Sequence, residues 1–336
     1  MTVLVTGGTG YIGSHMVVKL ATNNIDTVIV DDFSNSSEKI IRRINKLCNK
    51  EVPVVKLNLC DRDGCDSLFD SYEIDAVIHF AAYKSPTESI REPLKYYENN
   101  LISTINLLDS MKKHEVNHLI FSSSATVYGD PEKVPITEDM PLKAVNPYGR
   151  TKIIIEDILR DISVANKDQS IAILRYFNPI GAHFSGEIGE LPKGIPNNII
   201  PYISQVAVGK LKELPITGND YPTRDGTGIR DYIHVDDLVE GHLAALRWIK
   251  SNKGLLTCNL GTGIGYSVKE IVAAYEKASG KKIKTVIAPR RPGDISECYA
   301  DVTKAENELG FKAKHSLDDM CRDSWNWQSK NPKGYE

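Results

Sequence analysis

Residues 1–32 constrain the fold more than any other stretch. Residues 2–5 are a short apolar run, and Thr6-Gly7-Gly8-Thr9-Gly10-Tyr11-Ile12-Gly13 follows at once. Ile12, Met16 and Leu20 then recur every four residues, with Val17 and Ala21 widening the apolar side, which predicts a helix. Residues 27–30 form a second apolar run that ends at Asp31 and Asp32. Strand, glycine turn, helix, strand and acidic tip make one complete nucleotide-binding unit. Gly7 allows the tight turn, Gly10 lets the backbone approach a pyrophosphate, and Gly13 lets the helix pack close to the sheet. The helix N-terminus offers free N–H groups to the phosphates. Asp31 can accept both hydroxyls of an adenosine ribose, and a 2′-phosphate there would meet two negative charges, so NAD is favoured over NADP.

The same rhythm continues. Residues 52–57 predict a third strand, followed by Asn58 and Leu59 where an adenine edge would lie. Residues 74–80 predict a fourth, running through Phe80 into Ala81-Ala82, small enough for close approach of a cofactor. Residues 93–113 read as one long helix containing Asn99 and Asn100, which are poor interior helix formers. One of them could hold a loop or water near the cofactor, or be an exposed surface amide. Residues 119–121 predict a fifth strand that ends in Ser122-Ser123-Ser124-Ala125. Asn146-Pro147 predicts a cap and first-turn proline for a helix over 148–165, and 171–176 a sixth strand. Repeated strand and helix predict an α/β fold: a doubly wound, mostly parallel Rossmann sheet with helices on both faces.

After Asn178 the rhythm breaks, and 181–201 is rich in Gly, Pro and Asn. Further strands are expected at 214–217, 232–235, 256–260 and 284–288, with helices from Asp236 to Ile249 and over 267–279, 304–309 and 317–328. A smaller mixed α/β substrate domain therefore alternates with the main sheet. Residues 1–178 are assigned mainly to the dinucleotide domain with 232–263 returning to it, and 179–231 with 264–336 to the substrate domain.

Composition narrows the function. The formal charge of −3, with both signs interspersed, gives no nucleic-acid footprint. No apolar run approaches the roughly 20 residues of a membrane helix, and no secretory segment precedes the first strand. The six cysteines fit neither a zinc site nor a disulfide framework, which leads us to expect a reducing cytoplasmic setting. The eight histidines hold no HxH or HExxH pattern, so no metal site is expected. His79, inside an apolar strand, reads as a buried hydrogen-bonded side chain rather than a catalyst.

Two residues carry the chemistry. Tyr148 and Lys152 lie four apart on a predicted helix and so share one face. A nearby ammonium would favour the phenolate of a group whose ordinary pKa is about 10, making Tyr148 a general acid and base. Ser124 ends a central strand, where open parallel sheets bind ligands, and its hydroxyl could hold a substrate oxygen or cap the strand-end turn. Arg230 and Arg291, in later loops, are candidates for a second phosphate group or are solvated surface residues.

These stretches, with Asn146-Pro147-Tyr148-Gly149-Arg150-Thr151-Lys152, Arg175-Tyr176-Phe177-Asn178-Pro179, Gly194-Ile195-Pro196-Asn197-Asn198, Asp225-Gly226-Thr227-Gly228-Ile229-Arg230-Asp231-Tyr232-Ile233-His234-Val235 and Arg290-Arg291-Pro292-Gly293-Asp294, resemble the UDP-glucose 4-epimerase family of the extended short-chain dehydrogenase/reductases. The resemblance covers almost the whole chain. It implies interconversion of UDP-glucose and UDP-galactose through a transient 4-ketosugar, with tightly bound NAD regenerated in each cycle. It implies that Tyr148 exchanges the sugar O4 proton, Ser124 orients O4, and Lys152 tunes Tyr148 and holds the nicotinamide ribose. Cofactor contacts are implied at Gly7, Gly10, Tyr11, Ile12, Gly13, Asp31, Asn35, Ser36, Asn58, Leu59, Phe80, Ala81, Ala82, Lys84, Asn99, Ser122 and Tyr176. Many members carry Asp at the position of Asn58, which can still accept from the adenine amino group but brings no charge. Substrate contacts are implied at Phe177, Asn178, Asn198, Ile199, Thr217, Arg230, Tyr232, Arg291, Asp294 and Cys298.

Some bacterial members have a larger tyrosine at the position of Cys298, so the small side chain predicts room for N-acetylated sugars, UDP-N-acetylglucosamine and UDP-N-acetylgalactosamine. The resemblance also implies a homodimer built on two helices per subunit, with 93–113 and 148–165 the candidates. A 4,6-dehydratase on this fold needs carboxylates just after Ser124, where Ala125 and Thr126 stand instead. A net dehydrogenase would release NADH, and a non-enzymatic NAD sensor would not need Ser124, Tyr148 and Lys152 together.

Overall fold

The computed structural model describes residues 1–291 and 293–335, so Pro292 of the Arg290–Asp294 motif lies outside the described residues, as does Glu336. The first six strands are β1 (Thr2–Thr6), β2 (Asp26–Asp31), β3 (Val54–Lys56), β4 (Ala76–His79), β5 (His118–Ser124) and β6 (Ser170–Tyr176). Then come β7 (Asn178–Ile180), β8 (Leu214–Thr217), β9 (Ile229–His234) and β10 (Gly254–Leu260). The last are β11 (Gly265–Ser267), β12 (Thr285–Ala288) and β13 (Glu297–Cys298).

Seven strands form the main sheet, in the order β10-β6-β5-β4-β1-β2-β3. β1 runs parallel to β2 and β4, β2 to β3, and β4 to β5. Val3, Leu4 and Val5 are buried in succession, as expected of a strand covered on both faces. One of those faces packs Leu4, Val28, Val30, Val77, Leu119 and Phe121 with Leu107, Met111, Ile155 and Leu159. Strand order reverses between β1 and β4, so the carboxyl ends of β1, β4 and β5 flank the position where such sheets bind ligands.

The chain divides into two units. Unit 1 comprises residues 1–130, 141–175 and 239–258; unit 2 comprises 131–140, 176–238 and 259–336. In unit 2, β9 pairs antiparallel with β11 and parallel with β13 and β7, while β8 and β12 form a separate parallel pair. Its core gathers Ile180, Ile203, Tyr232, Ile271, Tyr275 and Met320.

Two sequence expectations change. The stretch 232–263 does not rejoin the main sheet as a block, because β9 belongs to the small sheet and only β10 joins the large one. Asp231, fully buried in β9, fixes this by accepting the N–H groups of Thr262 at 2.8 Å, Gly263 at 3.0 Å and Ala300 at 3.1 Å. Residues 93–113 are not one helix either. Helix Pro93–Tyr97 passes through a π-helical turn, Glu98–Ile102, into helix Ser103–Lys113. The wide turn accompanies a buried Asn100, whose Oδ1 accepts Tyr83 N at 2.8 Å and whose Nδ2 donates to Tyr83 O and Thr151 Oγ1, both at 3.1 Å. Of the two asparagines, Asn100 is the one that holds a loop.

Candidate active site

The glycine turn forms a cradle in unit 1. Gly7 sits at φ +66° and donates to Val30 O at 2.8 Å, tying the turn to β2. A methyl group at Gly13 would lie 2.8 Å from Gly8 Cα and closer still to the Gly7 carbonyl oxygen. At Gly10 the nearest obstruction is Gly7 O at 3.2 Å. The helix Tyr11–Thr22 starts with no side-chain cap and no acidic residue in its first turn, leaving its N–H groups and dipole for an anion. Tyr11 O is taken by His15 Nδ1 at 2.7 Å, and Ile12 is half-buried. Asp31 Oδ2 accepts Thr9 N at 3.0 Å, while Oδ1 accepts Phe33 N at 2.9 Å and Ser36 Oγ at 3.1 Å. The carboxylate is therefore fixed at the tip of β2, as a ribose acceptor must be. The cradle and this acid fit a dinucleotide.

Neighbouring strand ends complete the wall. Thr6 Oγ1 accepts Phe80 N and Ala81 N, both at 3.1 Å, and bonds His79 Nδ1 at 2.7 Å. His79 Nε2 meets Thr104 Oγ1 at 3.0 Å, and burial pushes its pKa down to about 3, so it is a neutral structural group. Asn99 lies beside Asn100, to which its Nδ2 donates at 3.0 Å. Ala82 is half-buried, and Lys84 and Asn35 are exposed. Asn58 Oδ1 accepts Cys60 N at 2.9 Å, and Leu59 is buried with its carbonyl held by Asn106 Nδ2 at 3.0 Å.

The candidate catalytic trio, Ser124, Tyr148 and Lys152, lies at the end of β5 and on the helix Pro147–Ala165. Asn146 caps that helix by accepting Gly149 N at 2.9 Å, with Pro147 in its first turn. Ser124 is buried, accepts Thr126 N at 3.2 Å and lies 2.9 Å from Thr126 Oγ1, so it does cap the strand-end turn. Burial raises the pKa of the buried Tyr148 phenol, and the influence of the Ser124 hydroxyl only partly pulls it back. The Lys152 ammonium, which the sequence led us to expect would lower it, donates to Ser122 O at 2.8 Å and sits 4.7 Å from the centre of the Phe121 ring. Lys152 is itself 3% exposed, and burial pulls its pKa down to about 7 against a weaker opposing pull from Glu156.

A buried network behind the trio escaped the sequence reading. Glu156 Oε1 accepts Ser123 Oγ at 2.6 Å and Arg175 Nε at 3.0 Å, and Oε2 accepts Arg175 Nη2 and Arg160 Nη2, each at 2.6 Å. Arg175 Nη1 donates to Tyr128 Oη at 3.0 Å. Ser122 Oγ meets His242 Nε2 at 2.8 Å, and the Phe80 ring lies tilted against the same imidazole, centres 4.9 Å apart. The available signals were Arg175 inside a recognised motif and Glu156 one turn beyond Lys152.

Unit 2 holds the remaining positions. Arg230 is half-buried, donates to Ile229 O at 2.8 Å and pairs in register with buried Cys298, whose thiol burial pushes up to about 11. Exposed Arg291 donates to Asp294 Oδ2 at 3.1 Å. Tyr232 and Phe177 are buried, Phe177 N donating to Leu260 O at 3.0 Å. Tyr176, Ile199 and Thr217 are half-buried and Asn178 is exposed. Asn198 starts the helix Ile199–Ala207 but turns its side chain to Glu190 Oε1 at 2.9 Å. His234, Asp236 and His315 bring ligand-type atoms within 4.8 Å of one another. However, His234 Nδ1 is taken by Asp236 N at 2.9 Å, its Nε2 faces Asp323 at 3.4 Å, and His315 faces Asp237 at 2.9 Å. One hydrogen bond and two carboxylate contacts engage these ring nitrogens.

A family model described as GDP-mannose 4,6 dehydratase matches residues 4–324. The chain is 55% identical to the UDP-glucose 4-epimerase of Bacillus subtilis over 336 residues, 100% of this chain and 99% of that protein. Its fold is similar to that of the UDP-glucose 4-epimerase from Bifidobacterium longum, solved with NAD+ and UDP, at a TM-score of 0.96 and 52% identity, covering 99% of this chain and 100% of that one. The UDP-Glc/GlcNAc 4-epimerase of Campylobacter jejuni is similar at a TM-score of 0.86 and 38% identity, over 98% of this chain and 99% of that one. Matched along its whole length in sequence and in fold, the chain belongs to the UDP-glucose 4-epimerase family.

Proposed function

We propose that this chain interconverts UDP-glucose and UDP-galactose by inverting C4 through a transient 4-ketosugar, with NAD held in the glycine cradle. The observation that carries the reading is the buried Tyr148–Ser124 hydroxyl pair, one helical turn from Lys152. Bound NAD supplies a hydride acceptor that becomes the donor in the second half of the cycle, so it is not consumed. Asp31 holds the adenosine ribose and Lys152 the nicotinamide ribose. Tyr148 takes the O4 proton and later returns it, while Ser124 orients O4 and relays the proton. Burial works against the phenolate, so Lys152 must supply positive charge when the proton leaves. In unit 2, Asn198, Arg230, Arg291 and Asp294 hold the UDP moiety while the sugar turns about its link to the diphosphate. Tyr148→Phe keeps the ring but removes the acid and base, and lowers kcat for UDP-galactose by about 10²–10⁴-fold. An unchanged kcat would refute this role.

The 4,6-dehydratase chemistry in the family model's description is a poorer fit, because Ala125 and Thr126 follow Ser124 and Thr126 Oγ1 is engaged with it. A wider sugar range is part of the proposal. Small Cys298 leaves volume for an N-acetyl group, so UDP-N-acetylgalactosamine and UDP-N-acetylglucosamine are also epimerised. Turnover of UDP-N-acetylgalactosamine no better than in Cys298→Tyr would overturn that extension. We further propose a homodimer through the helical faces of unit 1 that leave Leu94, Ile105, Ile154 and Val164 exposed. A cytoplasmic setting is proposed too; no helix among the described residues is long and apolar enough to cross a membrane.

A further inference from the structure

Unit 2 contains a buried hydroxyl that its own fold leaves unused. Tyr221 is 6% exposed, and its phenolic oxygen has no hydrogen-bond partner among the described residues. Folded chains rarely leave such a group unpaired without a reason. The ring, in contrast, is firmly seated. Tyr221 N donates to Gly226 O at 3.0 Å, and the Arg290 guanidinium lies 4.0 Å from the ring centre. Arg290 is itself fixed by Asp220, through Nε to Oδ1 at 2.8 Å and Nη2 to the carbonyl at 2.6 Å. Gly218, at φ +85°, makes room for both: a methyl group there would lie 2.6 Å from Tyr221 Cε2 and 2.8 Å from Arg290 Cγ.

The charges acting on the phenol are Asp294, Arg290, Arg230 and Arg291. With Asp220 paired to Arg290, three guanidiniums stand against two carboxylates, a net positive setting that suits an anion. Burial keeps the phenol protonated, so it is a donor, and a phosphate oxygen is the strongest acceptor this setting can receive.

We infer that Tyr221 is a further substrate contact, its hydroxyl donating to a phosphate oxygen of the nucleoside diphosphate that Arg230 and Arg291 neutralise. This rests on the UDP-sugar reading above. The hydroxyl is covered, so contact requires side chains around it to give as phosphate arrives.

Tyr221→Phe separates this role from packing, because the ring and its Arg290 contact remain. The test is calorimetric titration of UDP and of uridine into the full-length, NAD-loaded protein, wild type and variant, with thermal melting of each before UDP is added. The expected result is UDP affinity about tenfold or more weaker in the variant, uridine affinity unchanged, and a melting temperature unchanged or higher. Equal UDP affinity in the two proteins would overturn the inference. So would equal losses for uridine and UDP, which place the contact on the nucleoside, or a lower melting temperature before UDP is added, which gives the hydroxyl an internal partner. If the wild type itself fails to bind UDP, the UDP-sugar reading falls, and this contact with it.

Discussion

Replacing Lys152 with methionine is expected to stabilise the fold while removing a residue the proposed mechanism needs. Burial takes the ammonium from its ordinary 10.5 to about 7, a penalty on the charged form of about 5 kcal/mol. Because the folded-state pKa lies below the unfolded one, the unfolded chain binds more protons between those two values. Stability from this group therefore rises with pH across that window and is lowest below about 7. Near neutral pH the group still costs about 4 kcal/mol. Methionine fills similar space without charge but forfeits the bond to Ser122 O, worth about 1.5–3 kcal/mol. The variant should then be more stable near neutral pH by about 1–3 kcal/mol and lose that advantage as pH approaches 10.5. Urea unfolding of both proteins, freed of nucleotide, across that range measures the difference directly, since other titrating groups are common to both. A difference in stability that does not change with pH would refute the burial argument.

Other perturbations test separate parts of the account. Gly13→Ala pushes a methyl group against the Gly7 and Gly8 backbone, so it is expected to destabilise the fold by about 1–3 kcal/mol and to lower the NAD retained per chain; wild-type NAD content in the purified variant would contradict the cradle. Asp237 raises the His315 pKa by hydrogen bonding and attraction, so this pair's stabilisation is complete below the unfolded histidine value, about 6.5, and is lost as pH rises through the folded one. His315→Asn should therefore lower the urea midpoint more at about pH 6 than at about pH 8.5, and the reverse order would reject the sign. Cys298→Tyr should suppress turnover of UDP-N-acetylgalactosamine while sparing UDP-galactose, and equal loss on both would remove Cys298 from the specificity argument.

The parts of the molecule that were legible in the sequence are those written in local periodicity. The β1–helix–β2 unit and the Asn146 cap each depend on neighbours a few positions away. What escaped depends on partners far apart. A strand's apolar pattern shows that it is buried but not in which sheet, and β9 is placed by the bonds of Asp231 to residues 31, 32 and 69 positions later. The π-turn follows from Asn100 reaching Tyr83 and Thr151, 17 and 51 positions away. Ser122 and His242 are 120 apart. The direction of the Lys152 ammonium was likewise hidden: four-residue spacing puts Tyr148 and Lys152 on one face, but burial and the carbonyl of Ser122 decide where the charge goes.

The most direct test of the central claim is purified protein given UDP-galactose and no added NAD. NMR follows UDP-glucose while absorbance follows reduced nicotinamide. The account predicts that the epimer forms to equilibrium with no net build-up of NADH, because the cofactor is retained and regenerated. Accumulating NADH, or no epimer even after NAD is supplied to folded protein, would contradict it.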